Sequence, residues 1–157
     1  IDSAVTIVLW FRADARLGAG AGASGVQECT LLGRLPHRTS YSLRLVHDSE
    51  ASSTGVRLEF CLRLSHGDEL SVEKLLSTST VDPGRWTHVA AVFEDQSLSL
   101  FVDGEVDAAS TVAQSAAIAT SMGDLVIGEG FRGAIAEAGL YASALTKEEV
   151  EGLIQFG

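Results

Sequence analysis

The stretch Gly84–Val106 reads GRWTHVAAVFEDQSLSLFVDGEV and contains two apolar runs separated by short polar turns. Its first run, Arg85–Glu94, predicts a β-strand, and Ser97–Val102 predicts a second strand that returns beside it after a turn at Asp95-Gln96. Asp103-Gly104 predicts another tight turn, because both residue types tolerate positive φ. Two tight turns in succession predict an antiparallel meander.

The same pattern of short apolar runs bounded by Gly, Ser, Asp or Pro recurs along the chain. Val56–Leu64 alternates most clearly: every second residue from Val56 to Leu64 is apolar, and Arg, Glu or Cys stands between them. Trp86 stands at a strand entrance, where its ring is expected to cap the core. Ala13–Gly25 and Ala108–Gly123 are rich in small residues and predict loops. The other predicted strands are Val5–Ala13, Cys29–Leu35, Tyr41–Asp48, Leu70–Ser77, Asp124–Gly128 and Ala134–Tyr141.

One helix is predicted near the end of the chain. Thr146 is followed three residues later by Glu149, which is the pattern of a capping box. Val150, Leu153 and Ile154 then form an apolar stripe at helical spacing. The sequence therefore predicts an all-β protein, an antiparallel β-sandwich with one short C-terminal α-helix.

The composition limits the classes of partner. The chain has 157 residues, which fits a single domain, residues 1–157, and its net charge is −10. This acidity argues against nucleic acid, whose binding proteins carry basic patches, and against docking on anionic lipid. The apolar runs are too short for membrane insertion. Ile1 follows no leader or initiator Met, so we expect a fragment of a larger protein.

The two cysteines, Cys29 and Cys61, are predicted to remain unbridged. In a three-strand meander, Cys29 would lie level with His47 and Cys61 level with Ser42. The thiols would then be about 19 Å apart, beyond the limit of roughly 7 Å between the Cα atoms of a disulfide. Free thiols favour a reducing compartment.

The motifs resemble those of the laminin G-like and pentraxin-like domains in the concanavalin A-like jelly-roll superfamily. Gly84–Val89 matches a G-x-W-x-H-V strand, and Leu98–Gly104 matches the L-x-L-Y/F-V-D/N-G hairpin that follows it. Val5–Asp14 is similar to an early F-T-I-S-x-W-x-R/K strand. Leu125–Leu153 is similar to the family's ending, with F-x-G-x-I-x-E at Phe131–Glu137.

The resemblance implies two sheets, each of about six or seven strands, packed face to face with a concave face and a loop edge where ligands sit. It also implies a further strand at each end of the domain, for which this chain is too short. An open sheet edge is therefore expected, and a neighbouring segment or another chain could pair with it. Most laminin G-like modules are extracellular, which favours an extracellular or cell-surface location, whereas the free thiols favour an intracellular scaffold.

An enzymatic role is the least supported of the functions that the resemblance offers. Glycoside hydrolysis needs two carboxylates on opposite sides of the sugar bond. The jelly-roll glucanases supply them from a strand with the pattern E-x-D-x-x-E, and this sequence has no such run. Glu59 is followed two residues later by Cys61, and Glu137 by Gly139. We therefore expect no catalysis.

Calcium is the cofactor that the resemblance implies. Ca²⁺ takes several oxygen ligands from carboxylates and backbone carbonyls. The loop that carries them in pentraxin-like members is here only Glu129–Arg132, with one carboxylate. Acidic residues in loops could still form a site, or they could be solvated turn residues. These candidates are Asp48, Glu50, Asp103, Asp124 and Glu129.

Two other motifs have structural explanations. Gly20–Gly25 matches G-x-G-x-x-G, but a strand follows it where a dinucleotide site needs a helix, so we interpret it as a loop. The four histidines and two cysteines have no zinc-ligand spacing. His88 is expected to pack in the structure.

Two functional hypotheses remain. The first is a non-catalytic module that binds a glycan or a protein surface through Tyr41, Phe131 and Arg132. The alternative is a structural or scaffolding domain that makes protein–protein contacts without sugar binding. A glycan site should contain exposed aromatic rings, but strand periodicity predicts that most of the aromatic residues are buried.

Overall fold

The computed structural model describes residues 3–14, 28–35, 40–47 and 55–156, which form an antiparallel β-sandwich with one helix. The predicted fold class is confirmed. No helix in this described part is long and apolar enough to cross a membrane. The elements are β1 (Ala4–Ala13), β2 (Cys29–Leu35), β3 (Tyr41–His47), β4 (Val56–His66), β5 (Glu69–Thr80), β6 (Thr87–Glu94), β7 (Ser97–Val102), β8 (Glu105–Thr111), β9 (Ala117–Ile118), β10 (Asp124–Glu129), β11 (Gly133–Tyr141) and α1 (Lys147–Phe156).

The strands form two sheets. The first has five strands in the order β11-β1-β6-β7-β8. The second has six, in the order β10-β2-β3-β4-β5 with β9 paired to one end of β4. Among the described residues the first sheet is therefore one strand smaller than the resemblance implies. The main core lies between the sheets, and its largest fully buried side chains include Phe11, Phe60 and Phe93.

The opening stretch folds as the meander β6-β7-β8. Glu94 pairs with Ser97 across the first turn, and Val102 pairs with Glu105 across the second. Asp95 and Asp103 have φ angles of 54° and 51°, the left-handed conformation that Asp tolerates at turns. Both hairpin predictions are confirmed.

The prediction of a loop over Ala108–Gly123 is wrong in part, because β8 runs through Thr111 and β9 covers Ala117–Ile118. Apart from Val106, the side chains of β8 are small or polar, and most are exposed. A strand with little to bury has no period-two apolar signal, and only its backbone pairing with β7 shows that it is a strand. The small-residue loop predicted over Ala13–Gly25, with its G-x-G-x-x-G motif, lies almost entirely outside the described residues.

The two cysteines are free and buried, as predicted. The structure adds a second reason why the two thiols cannot form a disulfide: they lie on opposite faces of the sheet. Cys29 pairs with the core residue Leu45, not His47, whereas Cys61 pairs with Ser42 on the opposite face of the sheet. Burial raises the pKa of both thiols, which favours the unreactive thiol form.

The predicted helix is confirmed and lies on the outer face of the first sheet. The Glu149 amide donates to Thr146 Oγ1 (3.3 Å), and the Thr146 amide donates to Glu149 Oε2 (2.8 Å), which completes the capping box. Val150 is fully buried in a second apolar cluster. The other buried members of this cluster are Val8, Ala90, Val92 and Phe101.

Candidate functional site

One end of the sandwich brings together the end of β1, the start of β6, the β7–β8 turn and the β10–β11 turn. The Gly84 amide donates to the Ala13 carbonyl (2.8 Å), and the Asp14 amide donates to the Arg132 carbonyl (3.1 Å). These two bonds hold the end of β1 beside the segment before β6 and beside the β10–β11 turn. We call this region the Trp86 edge, and it consists of Arg12–Asp14, Asp82–His88, Asp103–Gly104 and Glu129–Gly133.

Trp86 is the exposed aromatic residue of this edge. It precedes β6 and is 40% exposed, so its ring does not cap the core, and that prediction is wrong. The physical reason is parity: Trp86 is two residues before His88 and four before Ala90, which lie on the outer face of the sheet. The Arg12 guanidinium lies over the indole, with Cζ 5.3 Å from its centroid.

His88 supports this arrangement from below the surface. It is 2% exposed, and its imidazole meets the Trp10 ring edge-to-face at 5.1 Å between centroids. Its Nδ1 has no hydrogen-bond partner in the described part of the chain. Burial lowers the pKa of the imidazole, and the nearby Asp103 carboxylate opposes this shift. The expected packing role of His88 is confirmed.

Asp103 connects His88 to the surface. Its Oδ1 accepts the His88 amide (3.0 Å), and its Oδ2 accepts Arg85 Nη2 (2.6 Å). The Asp103 amide donates to the His88 carbonyl (2.9 Å). The positive φ of this turn residue is therefore fixed by three hydrogen bonds, and Arg85 is held beside Trp86.

The buried imidazole predicts a pH dependence of stability. Because its folded pKa is lowered, the unfolded chain takes up this proton first as the pH falls below about 6.5. The free energy of unfolding should therefore decrease from about pH 6.5 downward, until the folded pKa is reached. Urea unfolding of the native chain and of His88→Gln over this range should show a stability difference that shrinks in acid. A difference independent of pH would contradict this role.

Of the three predicted ligand-binding residues, the structure places two at this edge. Phe131 is half-buried and meets the core residue Phe11 edge-to-face at 6.4 Å, while Arg132 is exposed. The prediction that Tyr41 is a surface residue is wrong, because it is 3% exposed and lies in the main core. Its pairing with the core residue Leu62 turns the ring inward.

The predicted calcium ligands do not come together as one set. Asp103 already uses both oxygens. Asp124 pairs with Leu35 at the far end of β10, about 17 Å along the strand from Glu129. Among the described residues no three His, Cys, Asp or Glu form a group that could hold a metal. Asp48 and Glu50 lie outside the described residues, so calcium binding stays a prediction.

The outer face of the second sheet carries a charged cluster around Arg44. Its Nε lies 3.2 Å from Glu59 Oε1 and its Nη1 lies 3.0 Å from Glu28 Oε2, while Nη2 also donates to Glu59. Glu59 is 7% exposed. Its alternation with the core residues of β4 is as predicted, but the carboxylate is buried under Arg44 and does not face solvent.

The same outer face has an apolar row on the edge strand β5. Leu70 is 56% exposed, Val72 59% and Leu76 46%. These residues are an even number of positions apart and so share a face, on which the exposed Lys74 lies between Val72 and Leu76. The sequence predicted a strand at Leu70–Ser77, and β5 confirms it and extends it to Glu69–Thr80.

Comparisons with known proteins agree with this architecture. A family model of the concanavalin A-like lectin/glucanases superfamily, of the laminin G type, matches residues 2–151. No protein of curated function matches the sequence. Many solved structures are similar in fold, and two binding domains are among them.

The botulinum neurotoxin serotype D binding domain has a TM-score of 0.68 at 11% identity, covering 99% of this chain and 36% of that chain. The binding domain of Paraclostridial Mosquitocidal Protein 1 has a TM-score of 0.65 at 16% identity, covering 96% of this chain and 36% of that chain. This chain thus spans little more than a third of their length. At such identities the likeness shows the fold alone.

Proposed function

The chain belongs to the concanavalin A-like lectin/glucanases superfamily, and from this premise we propose that it is a non-catalytic binding module that holds a glycan at the Trp86 edge. The observation that carries the proposal is the 40% exposed Trp86 ring beside the Arg12 guanidinium. An indole face can stack on the apolar face of a sugar ring, and a guanidinium can donate to its hydroxyls.

The edge is built to keep that surface in place. Trp86 follows Arg85, whose guanidinium is fixed to Asp103, and precedes the strand that contains the buried His88. A rigid platform loses little conformational entropy when it binds, so more of the contact energy appears as affinity. The similar domain of botulinum neurotoxin D is a receptor binding domain, which is consistent with a binding module.

Catalysis is not part of the proposal. Glu59 lies on the outer face of the second sheet, and Arg44 donates hydrogen bonds to it from Nε and Nη2. A general acid must release a proton and a nucleophile must reach the sugar. A buried carboxylate paired to Arg44 is suited to neither task.

Glycan binding at this edge is tested by alanine substitution. We expect the native chain to bind at least one member of a broad glycan array, and Trp86→Ala to weaken that binding by about tenfold or more. Phe156→Ala is the matched control, because Phe156 is an 89% exposed aromatic at the end of the helix. Calorimetric titration with the array hit gives both affinities. No hit on the array, or equal affinities, would refute the proposal.

A second candidate function is a scaffolding domain that contacts another protein through the β5 row. The observation that favours it is the three exposed apolar side chains Leu70, Val72 and Leu76 on one strand. Loss of partner binding in Val72→Lys, with glycan binding unchanged, would assign the protein contact to this row.

A further inference from the structure

Each sheet of the sandwich ends in two edge strands, and natural proteins protect such edges against pairing with another chain. Among the described strands, three of the four edges are protected. Strand β5 carries Glu69, Glu73 and Lys74 along its length. Strand β8 sends Asp107 to the backbone of β5, where its carboxylate accepts the Thr78 amide (2.6 Å).

The third protected edge is β11. Its pairing with β1 is interrupted by a register shift between Val8 and Trp10. Opposite this shift Glu137 has a φ of 51°. A bulge of this kind bends the strand and breaks the regular row of hydrogen-bonding groups that a further strand would need.

The fourth edge, β10, is the least protected of the described edges: its carboxylates, Asp124 and Glu129, lie only at its ends, and its pairing with β2 has no register shift, although Gly128 has a φ of 74°. Its sequence is DLVIGE, with three consecutive apolar residues between Asp124 and Gly128. In the described part of the chain β10 pairs with β2 and with no other strand. Leu125 is 49% exposed and Ile127 is 53% exposed. Among the described residues the edge is therefore apolar, and no second strand is paired to it.

The strand pairing shows that Ile127 points to the core side of the sheet although it is half exposed. Paired residues in antiparallel strands point to the same side. Ile127 pairs with Leu32, which is 1% exposed and belongs to the main core. Leu32 in turn pairs with the fully buried Leu43. Ile127 thus ends a core row, and an added strand would cover it.

We propose that β10 pairs antiparallel with β10 of a second copy of this chain, about a two-fold axis at Val126. This register places Leu125 of each copy opposite Ile127 of the other, and Val126 opposite Val126. All three central cross-strand pairs are apolar. The two six-stranded sheets become one continuous sheet, and the interface is self-complementary, as a two-fold dimer requires.

Charge selects this register over its neighbours. With Val126 on the axis, Asp124 lies opposite Gly128 and Glu129 lies opposite Gly123, so no carboxylate faces another. Moving the axis to Ile127 would place Leu125 opposite Glu129, and moving it to Leu125 would place Val126 opposite Asp124. Each copy carries a net charge of −10, so general repulsion opposes the dimer. Salt screens this repulsion and should strengthen association.

Sedimentation of the 157-residue chain over a range of micromolar concentrations tests the proposal. We expect a monomer–dimer equilibrium that shifts toward dimer with added salt. Val126→Lys, which sets two ammonium groups against each other on the axis, should abolish the dimer. Val106→Lys is the matched control, because Val106 is 54% exposed on the edge strand β8, and it should leave the dimer intact. A monomer at every concentration, or a dimer that persists in Val126→Lys, would overturn the proposal.

Cysteine substitution tests the register without a change of charge. The native thiols are buried, so they contribute little background. Val126→Cys should form a disulfide-linked dimer under mild oxidation, because paired Cβ atoms lie about 5 Å apart. Glu129→Cys should not, because its two copies would lie about 20 Å apart along the strands. Cross-linking of Val126→Cys no faster than that of Glu129→Cys or of Val106→Cys would refute this register.

Discussion

Replacing Arg44 with methionine is expected to lower the free energy of unfolding by about 3 to 5 kcal/mol. The substitution keeps much of the side-chain volume but leaves the Glu59 carboxylate, which is 7% exposed, without its cation. A buried charge without a partner costs far more than the net stabilisation that the intact pair provides. Urea denaturation with an unchanged m value gives this difference directly.

A double variant distinguishes the effect of the unpaired Glu59 charge from the effect of lost Arg44 packing. In Arg44→Met with Glu59→Leu the charge is absent, so most of the lost stability should return. Lys147→Met removes a partner of the exposed Glu105 and should leave stability nearly unchanged, because water and salt already screen that pair. A double variant as unstable as Arg44→Met would show that Arg44 acts through packing and not through charge.

Replacing Gly133 with alanine is expected to lower the free energy of unfolding by about 4 kcal/mol. Gly133 has a φ of 150°, and a Cβ atom there would lie 2.0 Å from the Arg12 carbonyl oxygen and 2.8 Å from Phe131 Cζ. The collision is with backbone, so β11 would have to move away from β1. Because Arg12 and Phe131 both belong to the Trp86 edge, glycan binding should weaken as well.

The control for this variant is Gly67→Ala. Gly67 also has a positive φ, 67°, but a Cβ atom there would meet nothing within 4 Å. It therefore reports the conformational cost alone, which is about 1 to 2 kcal/mol. Chemical denaturation measures both losses of stability. Equal losses in the two variants would mean that a Cβ atom at position 133 does not collide with the Arg12 backbone.

The candidate site shows how far the sequence could lead. Arg132 and Phe131 were singled out from the sequence, and they lie at the Trp86 edge. Trp86 itself was assigned to the core, although its parity with Ala90 already placed it on the outer face of β6. Arg12 has no signal in the sequence, because no local pattern indicates that β1 ends beside the start of β6.

The correct predictions of turns, strands and the helix depended on local chemistry. The Asp-Gly turn after Val102, the capping box at Thr146 and the alternation in Val56–Leu64 each depend on neighbouring residues, so each was readable without a structure. Their order along the chain was enough to indicate the superfamily. Free thiols at Cys29 and Cys61 also followed, because a disulfide has a distance limit that the strand spacing exceeds.

What covers each face was decided only by the tertiary structure. Periodicity states which residues share a face, but burial depends on segments distant in the chain. The helix covers Val8 and Phe101 on the first sheet, Arg44 buries Glu59 on the second, and β10 is left with Ile127 half exposed. Strand β8 exists because β7 supplies its hydrogen bonds, not because of its side chains. These outcomes depend on long-range packing, which no local pattern encodes.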